Sequence, residues 1–234
     1  MHLFYQPNIN NGSHFLDPDE SRHCVKSLRQ KENDKIQVTD GKGKLFTAKI
    51  TKADIRKCTF EIISEEKKET ENHHIHIAIA PTKSLDRIEW FIEKAVEIGI
   101  NEVSFILCQQ SEKRFMKLER IKRKAISAMK QSLKYRLPKI NALDDFEKFI
   151  KQDFGNTQKF IAYVDHRIPQ HLKDTAKSNY QYLVLIGPEG DFSEKEITLA
   201  KEKGFTPISL GKNRLRTETA GIAACHILNL INET

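Results

Sequence analysis

The sequence predicts an α/β protein: a mostly parallel sheet covered by helices on both faces, preceded by a small β-barrel. Three observations predict it. From His74 onward, short apolar runs alternate with helical periodicities, the arrangement a parallel sheet imposes. Residues 1 to 71 instead show hairpin alternation with few helix-length patterns, for which a small barrel is the natural closure. Between the two, Glu65 to Asn72 is charged and lacks apolar anchors, the composition of a linker. The expected domains are therefore 1–71 and 72–234.

In the first domain, Asp19 to Leu28 reads as a short helix carrying Arg22 and leading to Arg29. Ile36 to Thr39, the turn Asp40-Gly41-Lys42-Gly43 and Leu45 to Ile50 read as a β-hairpin. Thr59 to Ile63 supplies another strand. In the second domain, strands are expected at His76 to Ala80, Val103 to Leu107, Lys159 to Val164, Leu183 to Ile186 and Pro207 to Leu210. A helix capped by Ser84 or Asp86 carries Ile88, Phe91, Ile92, Ala95, Val96 and Ile98 at helical spacing and ends at Gly99. Phe115, Leu118, Ile121, Ala125, Met129 and Leu133 form a second helical stripe. The last helix, Glu218 to Asn232, is apolar on most sides, so it must be buried in its own core or against a partner.

Two stretches carry the chemistry. Leu183-Val184-Leu185-Ile186-Gly187-Pro188-Glu189-Gly190 is a buried strand stopping at a glycine turn. Ser193 and Glu196 then form a capping box, with Phe192 and Ile197 at the staple positions. Leu210-Gly211-Lys212-Asn213-Arg214-Leu215-Arg216-Thr217-Glu218-Thr219-Ala220 repeats the plan. A glycine loop between strand and helix is where open α/β sheets place ligands. Neither loop has the dinucleotide or Walker phosphate pattern, and Glu189 would repel a phosphate. A ligand with hydroxyls and amines, or with positive charge, fits better.

Together, Ile-Gly-Pro-Glu-Gly at 186–190 and Leu-Gly-x-x-x-Leu-Arg-Thr-Glu-Thr-Ala at 210–220 resemble the trefoil-knotted (SPOUT) RNA methyltransferases, and most nearly the ribosomal RNA small subunit methyltransferase E family. The resemblance implies a deep trefoil knot, a PUA-like barrel in the first domain, bound S-adenosylmethionine, a homodimer, and methylation of N3 of a uridine in the 16S rRNA of the small ribosomal subunit. It implies cofactor contacts from Ala80, Pro81, Leu185, Ile186, Gly187, Glu189, Gly190, Leu210, Gly211, Leu215, Thr217, Thr219 and Ala220. Arg216 is expected to stabilise charge developing on the uracil oxygens, and Glu218 is the weaker candidate, as a base. Arg22, Arg29, Lys83, Arg87, Arg114, Lys122, Arg123 and Lys124 are the candidate RNA contacts. The chain departs from relatives at His2, where many carry Arg, and at Lys130, where many carry Glu.

Charge distribution points the same way. The net charge is +7, yet residues 112–139 hold eleven Lys or Arg against two acids, leaving the remainder slightly acidic. One basic element on a near-neutral body is an electrostatic footprint for nucleic acid. Lys83 and Arg87 lie at the start of a helix, where cations oppose its dipole; an RNA phosphate would offset that cost. No apolar run reaches the roughly 18 residues of a membrane span. Cys24, Cys58, Cys108 and Cys225 are scattered, as in reduced cytoplasmic proteins. His73, His74 and His76 lack further ligands at metal spacing, so no metal is expected. The competing readings are a non-catalytic RNA-binding protein on the same fold, or an enzyme of this class acting elsewhere on RNA.

Overall fold

The hairpin at the centre of the first unit closes because Asp40 satisfies its turn. Its Oδ1 accepts the N–H groups of Lys42 (2.7 Å) and Lys44 (3.1 Å), while Gly41 and Gly43 take left-handed φ values of 71° and 103°. The turn joins β2 (Lys35–Thr39) to β3 (Lys44–Lys52); β1 (Leu3–Tyr5) runs parallel to β2, and β4 (Thr59–Lys67) runs antiparallel to β3. In the computed structural model, residues 2–67, 69, 71–165 and 170–233 are described. The expected barrel is seen as a four-stranded sheet, β1-β2-β3-β4, with further bridges from Phe15 to Thr59 and from Lys42 to Arg136. Strand β4 also runs into the expected linker: Glu65, Glu66 and Lys67 pair with Phe46, Leu45 and Lys44. Main-chain pairing needs no apolar side chain, so the strand continues into residues whose composition reads as a linker.

Helix α1 (Pro18–Arg22) starts where Asp17 accepts the Glu20 N–H at 2.8 Å with Pro18 behind it, and continues as one π-helical turn over His23–Ser27. Phe4, Ile9, Leu16, Cys24, Ile36, Val38, Phe46, Ile50, Cys58 and Phe60 make the core. Residues 126–137 cluster with this unit and not with the second. Within it, Lys130 forms an ion pair with Glu20, and the Gly43 N–H donates to the Tyr135 carbonyl at 2.8 Å.

The second unit, residues 71–125 and 138–234, is built on six parallel strands. They are β5 (His74–Ile79), β6 (Glu102–Leu107), β7 (Lys139–Asp145), β8 (Thr157–Ala162), β9 (Gln181–Ile186) and β10 (Thr206–Ile208), in the order β10-β8-β9-β5-β6-β7. The helices are α2 (Leu85–Ile98), α3 (Leu118–Gln131, its first half here), α4 (Phe146–Ile150), α5 (Leu172–Thr175), α6 (Glu194–Glu202) and α7 (Thr217–Asn232). Strand β7 has only Ile140, Ala142 and Leu143 as apolar residues, so its pattern was too weak to predict a strand. Strand β8 stops at Ala162, leaving Val164 exposed. The stripe expected to run from Phe115 to Leu133 is shorter: both ends lie outside α3 and are exposed. Ser84 holds the N-cap position of α2, but its side chain accepts no helix N–H, and Asp86 instead pairs with Arg120 at 3.1 Å. Gly99 ends α2 at φ 130°.

One face of the sheet carries Ala78, Ile106, Ile161, Leu183 and Leu185 against Phe146, Phe149, Phe192, Ala200 and Phe205. Against the other face, α7 packs on α2, β5 and β9. Gly221 makes that approach: a Cβ there would sit 2.7 Å from the Phe91 ring and 3.1 Å from Ile79. Gly221→Val should lower stability by about 1–3 kcal/mol, the usual result of overpacking a core. A drop in the urea midpoint at unchanged slope checks this; an unchanged midpoint would show that α7 packs loosely.

Candidate functional site at the carboxyl ends of the strands

Strands β5 and β9 end side by side, and the Ala80 N–H donates to the Ile186 carbonyl at 2.9 Å. Ala80 and Pro81 are buried beneath the loop that follows, as are Leu185, Ile186 and Gly187. Packing is tight at Gly187 and Gly190: a Cβ would meet Phe192 at 3.1 Å in the first case and Gln110 at 3.1 Å in the second. Gly190 itself is exposed at the end of the turn. Asp191 follows at φ 64°, its carboxylate accepting the Val164 N–H at 3.0 Å and the Phe192 N–H at 2.8 Å. The capping box of α6 is present: Ser193 accepts from the Glu196 N–H, and Glu196 accepts from the Ser193 N–H at 2.8 Å. Glu196 also accepts the Gln109 N–H at 2.8 Å, tying the loop after β6 to the loop after β9.

Glu189, from the first motif, does not stand free in solvent. Its Oε1 accepts the Lys83 N–H at 3.1 Å and lies 3.9 Å from Arg87 Nη1. The same guanidinium holds Glu218, from the second motif, with Nε 3.8 Å from Oε1. Glu218 is buried at the start of α7, its side chain 7% exposed, and its Oε2 has no hydrogen-bond partner among the described residues. Burying an ionised carboxylate oxygen without a donor is costly. A site that leaves one open in this way is shaped for a ligand bearing a donor or a positive charge.

No spacing rule in the sequence names a partner for Glu218; the structure supplies Arg87. Arg216 is the exposed N-cap residue of α7, and Arg214 is exposed beside it. Thr217 is buried, whereas Leu210, Leu215, Thr219 and Ala220 are half-buried. Gly211 takes φ 131°, a value that favours glycine, with open space where a Cβ would point.

The candidate RNA contacts fall into two groups. Arg22 and Arg29 are exposed in the first unit; Arg22 lies 3.9 Å from Asp19, and Arg29 sits at φ 58°. In the second unit, Lys83 pairs with Glu112 at 3.1 Å, Lys122 with Glu119 at 3.0 Å and Lys124 with Glu93 at 3.0 Å. Arg114 and Arg123 are exposed. The cost of cations at the start of α2 is thus already offset from within the chain by Glu112, Glu189 and Glu218.

At the opposite, amino edge of the sheet lies a cleft of about 650 Å³ lined by His74, His76, Glu102, Ser104, Asn141 and Phe149 among others. His74 and His76, two apart on β5, share a face, as strand alternation requires. No metal-holding group of His, Cys, Asp and Glu occurs among the described residues. Burial would raise the Glu102 carboxyl, but hydrogen bonds from His74 (3.2 Å), Lys139 (2.9 Å) and Asn141 (2.7 Å) outweigh it and hold the group well below the usual carboxylate range. His76 pairs with Ser104 at 2.8 Å. These polar groups are satisfied internally, so the cleft reads as a structural network.

Residues 69–229 match the RNA methyltransferase domain family, and residues 16–63 match the RNA methyltransferase PUA domain. An RNA methyltransferase with an amino-terminal PUA domain is thereby defined as the class. A protein named ribosomal RNA small subunit methyltransferase E from Aquifex aeolicus is 30% identical over 97% of this chain and 99% of its own length. The chain belongs to the ribosomal RNA small subunit methyltransferase E family. A probable rRNA-methyltransferase from Porphyromonas gingivalis superposes with TM-score 0.94 at 42% identity, covering 100% of this chain and 99% of that one. A member of the same family from Neisseria gonorrhoeae, solved bound to S-adenosyl methionine, superposes with TM-score 0.86 at 29% identity, covering 99% and 98%.

Burial depresses the His76 pKa from 6.5 to about 4, so the folded chain keeps this ring neutral where the unfolded chain would protonate it. Stability from this group is present above pH 6.5 and is lost as pH falls towards 4, by about 3 kcal/mol at most. His76→Gln should flatten that part of the stability–pH curve in urea titrations. A parallel curve for the variant would show that the ring is not desolvated.

Proposed function

We propose that the chain methylates N3 of a uridine in the 16S rRNA of the small ribosomal subunit, using S-adenosylmethionine. The observation that carries the reading is the meeting of the two motif loops on one guanidinium, which leaves a buried Glu218 oxygen open at the carboxyl edge of the sheet. Two carboxylates, one with an unpaired buried oxygen, suit a cationic ligand bearing an amine and hydroxyls. The bound S-adenosylmethionine of the gonococcal relative supports the same choice. The cofactor would be held by Ala80 and Pro81, by Leu185, Ile186, Gly187, Glu189 and Gly190, and by Leu210, Gly211, Leu215, Thr217, Thr219 and Ala220.

When bound, S-adenosylmethionine supplies an electrophilic methyl carbon on a positively charged sulfur. The task of the chain's residues is alignment and charge. The loops would align donor and acceptor, which accounts for much of such catalysis. The uracil N3 must lose its proton, which spreads negative charge to the flanking oxygens, so that its electron pair could take the methyl as the carbon–sulfur bond breaks. Glu218 Oε2 is the acceptor available for that proton. Arg216, exposed at the mouth of α7, stabilises the oxygens. N3 lies on the pairing edge, so the base is engaged unpaired or flipped out.

The PUA domain, with Arg22 and Arg29, and the basic element around Arg114, Lys122, Arg123 and Lys124 bind the RNA in this reading. Ile222, Ala223 and Ile227 are half-buried and Leu230 is 55% exposed on α7, an apolar face suited to a homodimer. The trefoil knot, the closed barrel and a cytoplasmic location accompany the family reading.

Arg216→Ala should lower turnover about a hundredfold to a thousandfold while changing cofactor affinity little, the pattern of an interaction made in the transition state. Methyl transfer to 16S rRNA, with mass spectrometry locating the methyl, is the assay. Near wild-type turnover removes Arg216 from the mechanism, and a methyl on ribose O2′ overturns the base-methylation reading.

Arg123→Gln tests the basic element cleanly, since neighbouring Lys122 and Lys124 already have carboxylate partners. A phosphate contact predicts that the slope of log affinity against log salt falls by roughly one. An unchanged slope makes that face merely solvated.

A further inference from the structure

Arg87 stands among the sequence's candidate RNA contacts, yet its surroundings give it another task. Three segments far apart in sequence converge on it: its own turn at the start of α2, Glu189 in the loop after β9, and Glu218 at the start of α7. The guanidinium uses two different nitrogens, Nη1 towards Glu189 and Nε towards Glu218, so its planar fork spans both carboxylates. Glu189 is held a second time by the Lys83 N–H, so its oxygen is fixed from two sides. Two carboxylates around one cation leave the cluster net negative, and an approaching phosphate would be repelled.

We propose that Arg87 is a positioning residue: it clasps Glu189 and Glu218 at a fixed separation and so holds the Gly187–Gly190 loop and the start of α7 in register, without contacting RNA phosphate. The assignment rests on the carboxyl-edge site being the S-adenosylmethionine pocket, as argued above. Arg87 takes Glu218 Oε1 and leaves Oε2 open. Without the clasp, Glu218 would be a buried carboxylate with no cation paired to it among the described residues, and Glu189 would keep the Lys83 N–H alone of them. Lysine cannot substitute, because a single ammonium on a flexible stem does not present two fixed donors.

The test uses the full chain and the variants Arg87→Ala, Arg87→Met, Arg87→Lys, Glu189→Gln and the double variant Arg87→Ala/Glu189→Gln. Calorimetry with S-adenosylmethionine should show affinity falling about tenfold or more in Arg87→Ala and Arg87→Met, with little recovery in Arg87→Lys. Glu189→Gln should weaken binding in the wild-type background and add little in the Arg87→Ala background, since both changes break one unit. The salt dependence of RNA binding should stay as steep in Arg87→Ala as in the wild type. Additive effects, restoration by lysine, or a salt slope smaller by roughly one would each overturn the clasp. A wild-type chain that binds no S-adenosylmethionine would instead sink the reading of the pocket. The clasp would then be decided by the same double-mutant cycle read from urea midpoints, where additivity refutes it.

Discussion

Strands β5 and β9 lie side by side in the middle of six parallel strands, with Ile75 to Ile79 and Tyr182 to Ile186 buried. Their main-chain groups have no water to turn to and must pair with neighbouring strands until the pair ends. At the end of the ladder, Ala80 still donates to Ile186, and only beyond it does the chain become free to turn. The site follows from that constraint. The two loops leave the sheet at one level, and helices α2 and α7, packed against each other and the same sheet face, start nearby. The Cβ missing from Gly221 is what lets α7 lie close enough to Phe91 for Glu218 to meet Arg87.

Electrostatics then sorts the charged residues of the site. Glu218 is deeply buried and paired, Glu189 is partly exposed and paired, and Arg214 and Arg216 are exposed beyond them. A carboxylate at depth with cations at the rim suits a cationic ligand inside and an anionic polymer outside. The basic segment is less uniform than its composition suggests. Lys83, Lys122 and Lys124 each have a carboxylate within hydrogen-bonding distance, so the exposed Arg114 and Arg123 carry a larger share of the free positive charge than a count implies.

Much of this was legible in the sequence because local rules and tertiary demands agreed. The run Leu183 to Ile186, the Ser193–Glu196 capping box and the Asp40–Gly43 turn each obey a short-range rule, and the structure obeys the same one. What was not legible depended on long-range pairing. Strand β7 is held by β6, not by its own pattern. The end of β4 is held by β3 in spite of its charges. The partner of Glu218 lies 131 positions away, and no spacing rule reaches it; the cost of cations at the start of α2 was the one available signal, and it pointed to a phosphate when carboxylates of the chain itself supply the counter-charge.

Residues 126–137 belong with the amino-terminal unit although the chain has by then built β5, α2 and β6 of the other. Order of synthesis therefore differs from order of completion. When residue 71 leaves the ribosome, Glu20 has no Lys130, and the Gly43 N–H has no Tyr135 carbonyl. The first unit to be translated waits for nearly seventy further residues before its last contacts arrive. Its ends in the gene are not its ends in space, and a fragment cut at the linker would carry a half-finished surface where the returning segment belongs.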